Sequence, residues 1–314
     1  MPASRRALLI AAAAGGLAAG CGTDSPPPGG STPTGAGTAG GVAPSPAGDP
    51  SPAGQAAASP TVGPVAVRRT TFASTARGRH VDMVVVAPVP TGAPATAGAG
   101  ELPVCLVLHG RGDNADRAVG LLGLDAHLTA ALATGTAPFA LVTLDGGETY
   151  WHRRASGDDP EGMIIGEVLP RLAAQGLRTD RIAATGWSMG GYGALLLARR
   201  HPDLVVAVAA SSPAMWHSYR ASAPGAFDSA ADFAEHAILG TPPVPGVAYR
   251  IDCGEADPFH SVSREAADAL QAQERNFGPG GHTPAYWSAA IPAQLAFLGH
   301  ELARAARAPG RSGG

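Results

Sequence analysis

The stretch Thr185-Gly186-Trp187-Ser188-Met189-Gly190-Gly191-Tyr192-Gly193 (TGWSMGGYG) sets one serine among four glycines. Glycine fills 43 of 314 positions, so a G-x-S-x-G match by composition alone has roughly a one-in-three chance. The pentapeptide decides nothing by itself; its flanks do. Arg181–Gly186 (RIAATG) reads as a short strand, and Met189–Arg200 (MGGYGALLLARR) as a helix carrying Leu195, Leu196 and Leu197. A serine at a direct strand-to-helix junction fits a nucleophile elbow, a tight turn that lifts the hydroxyl above a sheet edge. Glycine is then required at 186 and 190, where side chains would collide with neighbouring backbone. The helix N-terminus aims its dipole and free N–H groups at the same point, which favours a developing oxyanion.

Outward from the elbow, strand-length apolar runs alternate with longer amphipathic segments. His80–Val89, Leu102–His109, Phe139–Leu144, Leu204–Ala210 and Val247–Cys253 read as further strands. Leu204–Ala210 is apolar throughout, as strands buried on both faces tend to be. Helical patterns cover Ala115–Thr134, Ser261–Glu274 and Ala285–Arg307, the last with a candidate break at Pro292. Asp158-Asp159-Pro160-Glu161 reads as a helix start, with Asp near the N-cap and Pro in the first turn. The stripe Ile164, Ile165, Val168 and Leu169 beyond it would face a sheet. This alternation predicts an α/β domain over residues 65–314, built on one mostly parallel sheet covered on both faces, with no internal repeat.

The N-terminus is of a different kind. Arg5-Arg6 precede the apolar run Leu8–Ala19, which ends at Gly20-Cys21 and is too short to span a bilayer. Residues 1–21 read as an export signal. Leu17-Ala18-Ala19-Gly20-Cys21 has the form of a bacterial lipobox with Cys21 as the lipidated residue, and Ser4-Arg5-Arg6-Ala7-Leu8-Leu9 has a twin-arginine character. The expected location is the extracytoplasmic face of a bacterial membrane, reached only through the lipid anchor, or the medium. Residues 22–64 are Pro, Gly, Ser, Thr and Ala with little to bury, the composition of a disordered tether. Net charge is −3, with no basic stripe, which argues against a nucleic-acid partner. All 22 cationic residues are Arg; without lysine there is no Schiff base, Ser–Lys dyad or P-loop. Cys105 and Cys253 fall on strands that would not be neighbours, and are expected to be buried free thiols. No cofactor and no metal site are expected.

A serine hydroxyl needs a base, and the base needs an orienting carboxylate. In the order serine, acid, histidine, three histidines lie well downstream. His300 sits within helical periodicity, and His260 follows the acid region too closely. His282, in Gly278-Pro279-Gly280-Gly281-His282-Thr283-Pro284, lies in a mobile-looking loop just before the last helix and is the preferred base. The acid belongs on the loop after the strand Val247–Cys253. Asp257 lies clear of the strand end and is preferred, with Glu255 in reserve; Asp252, inside the strand, would be an expensive buried charge without a partner. The oxyanion needs two donors: the Met189 N–H, and one from the loop Leu108-His109-Gly110-Arg111-Gly112-Asp113, with Arg111 first and Gly112 second. His109 reads as a brace for that loop. Trp151, Trp187 and Trp216, close to strand ends, are candidate substrate contacts, although rim packing explains them equally well.

LHGRGDN, GWSMGGYGAL, DCGEADPF and GGHTPAYW, in this order, resemble the esterase branch of the α/β-hydrolases. That branch includes esterase D (S-formylglutathione hydrolase), feruloyl esterases and the antigen 85 mycolyltransferases. The resemblance spans residues 70–305 and implies the α/β-hydrolase fold, Ser188 as nucleophile, Asp257 as acid and His282 as base, with oxyanion N–H groups at Met189 and Arg111. It implies a serine esterase acting on small-molecule, carbohydrate or lipid esters. Three other readings remain: an acyltransferase to a sugar or envelope acceptor, a non-catalytic surface protein on the same fold, and a prolyl-oligopeptidase-like peptidase. The chain is short for the last, which usually carries a propeller domain.

Overall fold

The computed structural model describes residues 62–90 and 101–307. The signal, Cys21 and nearly all of the tether therefore lie outside the described residues. Eight strands form one sheet: β1 (Val62–Ser74), β2 (Arg79–Pro90), β3 (Leu102–Leu108), β4 (Ala140–Leu144), β5 (Leu177–Trp187), β6 (Val205–Ser211), β7 (Ala248–Asp252) and β8 (Glu274–Asn276). Their order is β1-β2-β4-β3-β5-β6-β7-β8. β1 and β2 pair antiparallel with each other, β2 pairs antiparallel with β4, and all later pairings are parallel. This is the mostly parallel, doubly covered sheet that the alternation of elements predicts.

Helices α1 (Ala115–Leu122), α2 (Leu124–Ala133) and the long C-terminal α8 (Pro284–Arg307) cover one face. There Leu122, Leu128, Trp287 and Leu298 pack on Val107, Leu141, Ala183 and Ala207. The other face carries α3 (Pro160–Met163), α4 (Leu169–Ala174), α5 (Met189–Arg200) and α7 (His260–Ala269). Its core joins Ile164, Leu172, Leu195 and Ala266 to Leu106, Val142, Ala184 and Val208. The short α6 (Ala230–Glu235) lies in the long connection between β6 and β7.

Several boundaries differ from the pattern reading, each for a local reason. Ala115–Thr134 is two helices, because Gly123 takes φ 63 and ψ 38 and closes the first with an N–H to Val119 O bond. Residues 62–64, assigned to the tether, begin the edge strand β1, whose arginines and threonines hide its alternation. Asp159 caps α3 through Gly162 N at 2.7 Å, with Pro160 at N1. The helix then widens into a π turn over Ile164–Val168, where Leu169 N bonds Ile164 O. Pro170, which cannot donate to Gly166 O, accounts for the extra residue. α8 runs through Pro292 unbroken: Pro292 is exposed, so water can take up the carbonyl it leaves unbonded. The helix drawn to Glu274 stops at Ala269, and residues 274–276 form β8. Cys105 and Cys253 are free and buried, as expected, and burial pushes the Cys253 thiol up to about 11.

The parallel registers align the strand ends. Leu108 pairs with Gly186, Trp187 with Ser211, and Ser211 with Asp252. The loops that follow these residues therefore share the carboxyl edge of the sheet. The chain leaves β3 toward β4 on one side and β5 toward β6 on the other, so the switch point where such sheets form sites lies between β3 and β5.

Glycine substitutions separate ordinary helix positions from this edge. A Cβ at Gly190 would lie 1.9 Å from Leu108 O, whereas one at the exposed Gly120 of α1 meets nothing within 4 Å. In urea denaturation, Gly120→Ala is expected to stabilise the fold by about 0.5–1 kcal/mol. Gly190→Ala is expected to cost about 3 kcal/mol or more. Equal stability of the two variants would refute the packing constraint.

Candidate active site

Ser188 caps α5 with φ 53 and ψ −119, a conformation rarely tolerated outside glycine. The turn is held on both sides: Ser188 N donates to Ser211 O at 2.9 Å, and Ser188 O accepts from Tyr192 N at 3.1 Å and Ala214 N at 3.0 Å. Glycine is obligatory nearby because backbone passes so close. A Cβ on Gly186 would lie 2.5 Å from Leu108 O, and one on Gly191 2.9 Å from Ser211 O. The strain at Ser188 leaves its hydroxyl half-buried at the carboxyl edge of the sheet.

His282 Nε2 lies 2.9 Å from Ser188 Oγ, and His282 Nδ1 lies 2.9 Å from Asp257 Oδ2. The residues chosen from sequence thus form one hydrogen-bonded chain. Its two downstream loops are fastened to each other rather than free. Ala256 N donates to Gly280 O at 2.8 Å and Glu255 N to Gly278 O at 3.0 Å. A Cβ on Gly254 would meet the Gly280 carbonyl carbon at 2.4 Å. The mobile look of the glycine-rich loop around His282 is therefore corrected: its glycines permit a close backbone crossing. The Asp257 side chain is fully buried. Burial by itself raises its pKa, but hydrogen bonds from His282, Phe259 N and Ser212 outweigh it and hold the carboxyl below its ordinary value.

The other candidates separate cleanly. His260 Nδ1 faces Gly254 O at 3.1 Å, and exposed His300 pairs with Glu301. Glu255 is exposed. Asp252 is buried in the strand, and its charge has the partners such burial requires: Arg250, two residues earlier on the same strand face, grips it at 2.7 and 3.0 Å, and Gln294 Nε2 donates at 2.8 Å. His109 braces its loop, its Nε2 accepting from Gly146 N at 2.9 Å and its Nδ1 facing Gly110 O at 2.7 Å. Burial lowers its pKa, which suits a neutral ring with that tautomer.

The Arg111 loop lies against the start of α5, since a Cβ on Gly190 would also meet His109 O at 2.7 Å. Met189, the first residue of α5, has an N–H without an intrahelical acceptor. The Arg111 side chain reaches Glu148 Oε2 at 2.8 Å and Pro224 O at 3.2 Å. It ties the loop after β3 to the loop after β4 and to the β6–β7 connection.

The three tryptophans do not share a role. Trp187 is buried on the α8 face against Gly110 and Trp287. Trp151 is wedged between Gly146 and Gly193 and donates to His109 O at 3.2 Å. Neither offers surface to a ligand. Trp216 is half-buried and packs edge-on to Phe259 at 5.5 Å, which in turn lies 5.4 Å from the His282 ring. Tyr150 and Phe227 complete this aromatic wall. Sequence reasoning missed Phe259, two residues after the acid, and Trp287, edge-on to His282 at 4.9 Å. It also missed the part played by Ser212, which accepts from Trp287 Nε1 at 3.1 Å and bonds Asp257.

A family model described as "Putative esterase" matches residues 90–298. Among solved structures, a ferulic acid esterase superposes with a TM-score of 0.64 at 21% identity, over 76% of this chain and 99% of its own. A fluorophosphonate-binding serine hydrolase of Staphylococcus aureus gives 0.60 at 18%, over 76% and 99%. An S-formylglutathione hydrolase from Agrobacterium tumefaciens gives 0.58 at 16%, over 77% and 97%. At these identities the likeness is one of fold. A comparison with curated proteins finds no match.

Asp257 also makes stability depend on pH. A carboxyl with a lowered folded pKa contributes stability above its unfolded value of about 3.9, and that share is lost as pH falls through the folded value. Asp257→Asn is therefore expected to be less stable than wild type at pH 7, with the gap closing below about pH 4. Denaturant titrations across that range check it; a gap independent of pH would contradict the assignment.

Proposed function

The chain belongs to the esterase family, and from that premise we propose that this carboxylic ester hydrolase works through an acyl-enzyme on Ser188. The observation that carries the proposal is the continuous chain from Ser188 Oγ through His282 to Asp257, both links at 2.9 Å. Ser188 Oγ attacks the ester carbonyl carbon while its proton passes to His282 Nε2. Asp257 accepts from Nδ1–H, fixing the tautomer and stabilising the imidazolium. The tetrahedral oxyanion faces the N–H groups of Met189 and Arg111 at the positive end of α5. Collapse expels the alcohol with the proton from His282. Water then attacks the acyl-enzyme, giving His282 a proton that returns to Ser188 Oγ as the acid departs.

Trp216 and Phe259 put an apolar, flat surface beside His282, which suits an aromatic acyl group. The ferulic acid esterase among the structural neighbours supports that reading. Ser188→Ala is expected to lower p-nitrophenyl ester hydrolysis by roughly 10⁴–10⁶-fold with an unchanged melting temperature. Wild type, but not the variant, should take a fluorophosphonate label. Retained turnover in a folded variant would overturn the nucleophile. Equal kcat/KM for acetate and hydroxycinnamate esters would remove only the aromatic preference.

The location follows from the lipobox reading: Cys21 carries a lipid that holds the domain at the outer face of the membrane. Cys21→Ala is expected to move the protein from the membrane fraction to the medium. Unchanged fractionation would refute lipidation.

A further inference from the structure

Away from the catalytic residues, a second set of ligand-type side chains converges where the β6–β7 connection meets the loop after β4. His152 comes from that loop and is fully buried. Asp232 lies in α6, and His236, one turn later, is also buried. His236 Nδ1 is 3.0 Å from Asp232 Oδ1, and His152 Nδ1 is 3.7 Å from the same oxygen. One donor atom from each residue falls within 4.8 Å of the other two. Donors about 2.1 Å from a tetrahedral ion lie roughly 3.4 Å apart, so these spacings bracket what a shared ion requires.

The surroundings of His152 point the same way. Its Nδ1 faces Arg153 O at 3.1 Å and its Nε2 faces Ala226 O at 3.3 Å. A neutral imidazole has one N–H, so one ring nitrogen turns a lone pair toward oxygen. The neighbouring cation Arg154 is already engaged by Asp228 and by the carbonyls of Thr149, Gly225 and Ala226. Asp232 Oδ2 accepts from Asp228 N at 2.7 Å, which leaves Oδ1 as the oxygen facing both histidines.

We propose that His152, Asp232 and His236 form a structural site for a zinc-class divalent ion, stapling α6 to the loop after β4. Two imidazole nitrogens and one carboxylate oxygen suit zinc, nickel or copper, whereas calcium and magnesium prefer all-oxygen shells. His236 Nδ1 donates to Asp232 O at 2.9 Å without an ion; binding moves the ring proton to Nε2 and turns the freed Nδ1 lone pair to the ion. The staple has a structural consequence for the aromatic wall. Phe227 stacks on His152 at 5.5 Å and touches Tyr150 and Trp216, while Tyr192 of α5 donates to His236 O at 2.7 Å.

The test uses the full chain, stripped with chelator and titrated with zinc by calorimetry and by melting temperature, and with cobalt by visible absorption. Wild type is expected to bind one zinc with a raised melting temperature, to give cobalt bands of a four- or five-coordinate site, and to ignore calcium and magnesium. Asp232→Asn and His236→Gln should each weaken zinc by at least about tenfold, while His217→Gln, on the exposed surface, should not. No zinc-dependent change in melting temperature, or wild-type zinc affinity in the two ligand variants, would overturn the site. If the variants fail to fold, the wild-type cobalt spectrum decides: absence of those bands refutes the proposal.

Discussion

The contact on which the rest depends is between backbone and backbone. The first turn of α5 lies so close to the end of β3 that no Cβ fits at Gly190 or Gly186. Side chains at these positions would push the helix from the sheet and separate two things the chemistry needs together. One is the strained turn that raises Ser188. The other is the loop after β3 that carries Arg111. Close packing at strand ends thus does what no single side chain could, because parallel pairing has already placed Leu108 beside Gly186.

The same device recurs for the acid and the base. Asp257 and His282 sit on loops that cross at Gly254 and Gly280, with two backbone hydrogen bonds across the junction. Parallel pairing of β7 with β8 brings those loops to the crossing. Ser212 and Trp287 then fix the acid and the imidazole from the side. The chain Ser188–His282–Asp257 is therefore assembled from the ends of three strands of one sheet, β5, β7 and β8. Its positioning draws on the stability of that sheet more than on local loop structure.

This explains what the sequence could and could not disclose. Elbow, strand runs and the order serine, acid, histidine are local or ordered along the chain, so they were legible. Strand parity would also have placed Trp187: it shares a strand face with Ala183 and Thr185, which face α8, and so lies behind the site rather than in it. Trp151 offered no such signal, because its wedge between Gly146 and Gly193 is a contact between distant segments. The edge strand β1 was hidden by its arginines and threonines. The π turn came from one proline whose effect depends on helix register. His152 and the pair Asp232–His236 lie far apart in the sequence, and neither stretch has ligand spacing of its own to mark a shared site.

Chemistry and selectivity consequently rest on different parts of the molecule. The reacting groups are held by glycine crossings at the sheet edge, where substitution is sterically forbidden. The wall beside them is built from Tyr150, Trp216, Phe227 and Phe259, of which Trp216 and Phe227 belong to the connection between β6 and β7. Beyond Ala214, whose N–H bonds Ser188 O, that connection is joined to the rest by side-chain contacts: Arg111 to Pro224 O, Arg154 to Asp228, Tyr192 to His236 O and the histidines around Asp232. Side-chain joints tolerate replacement as backbone crossings do not. A chain of this kind can therefore keep its acyl-transfer machinery while the surface that selects the ester changes, and the motifs that reveal the first are silent about the second.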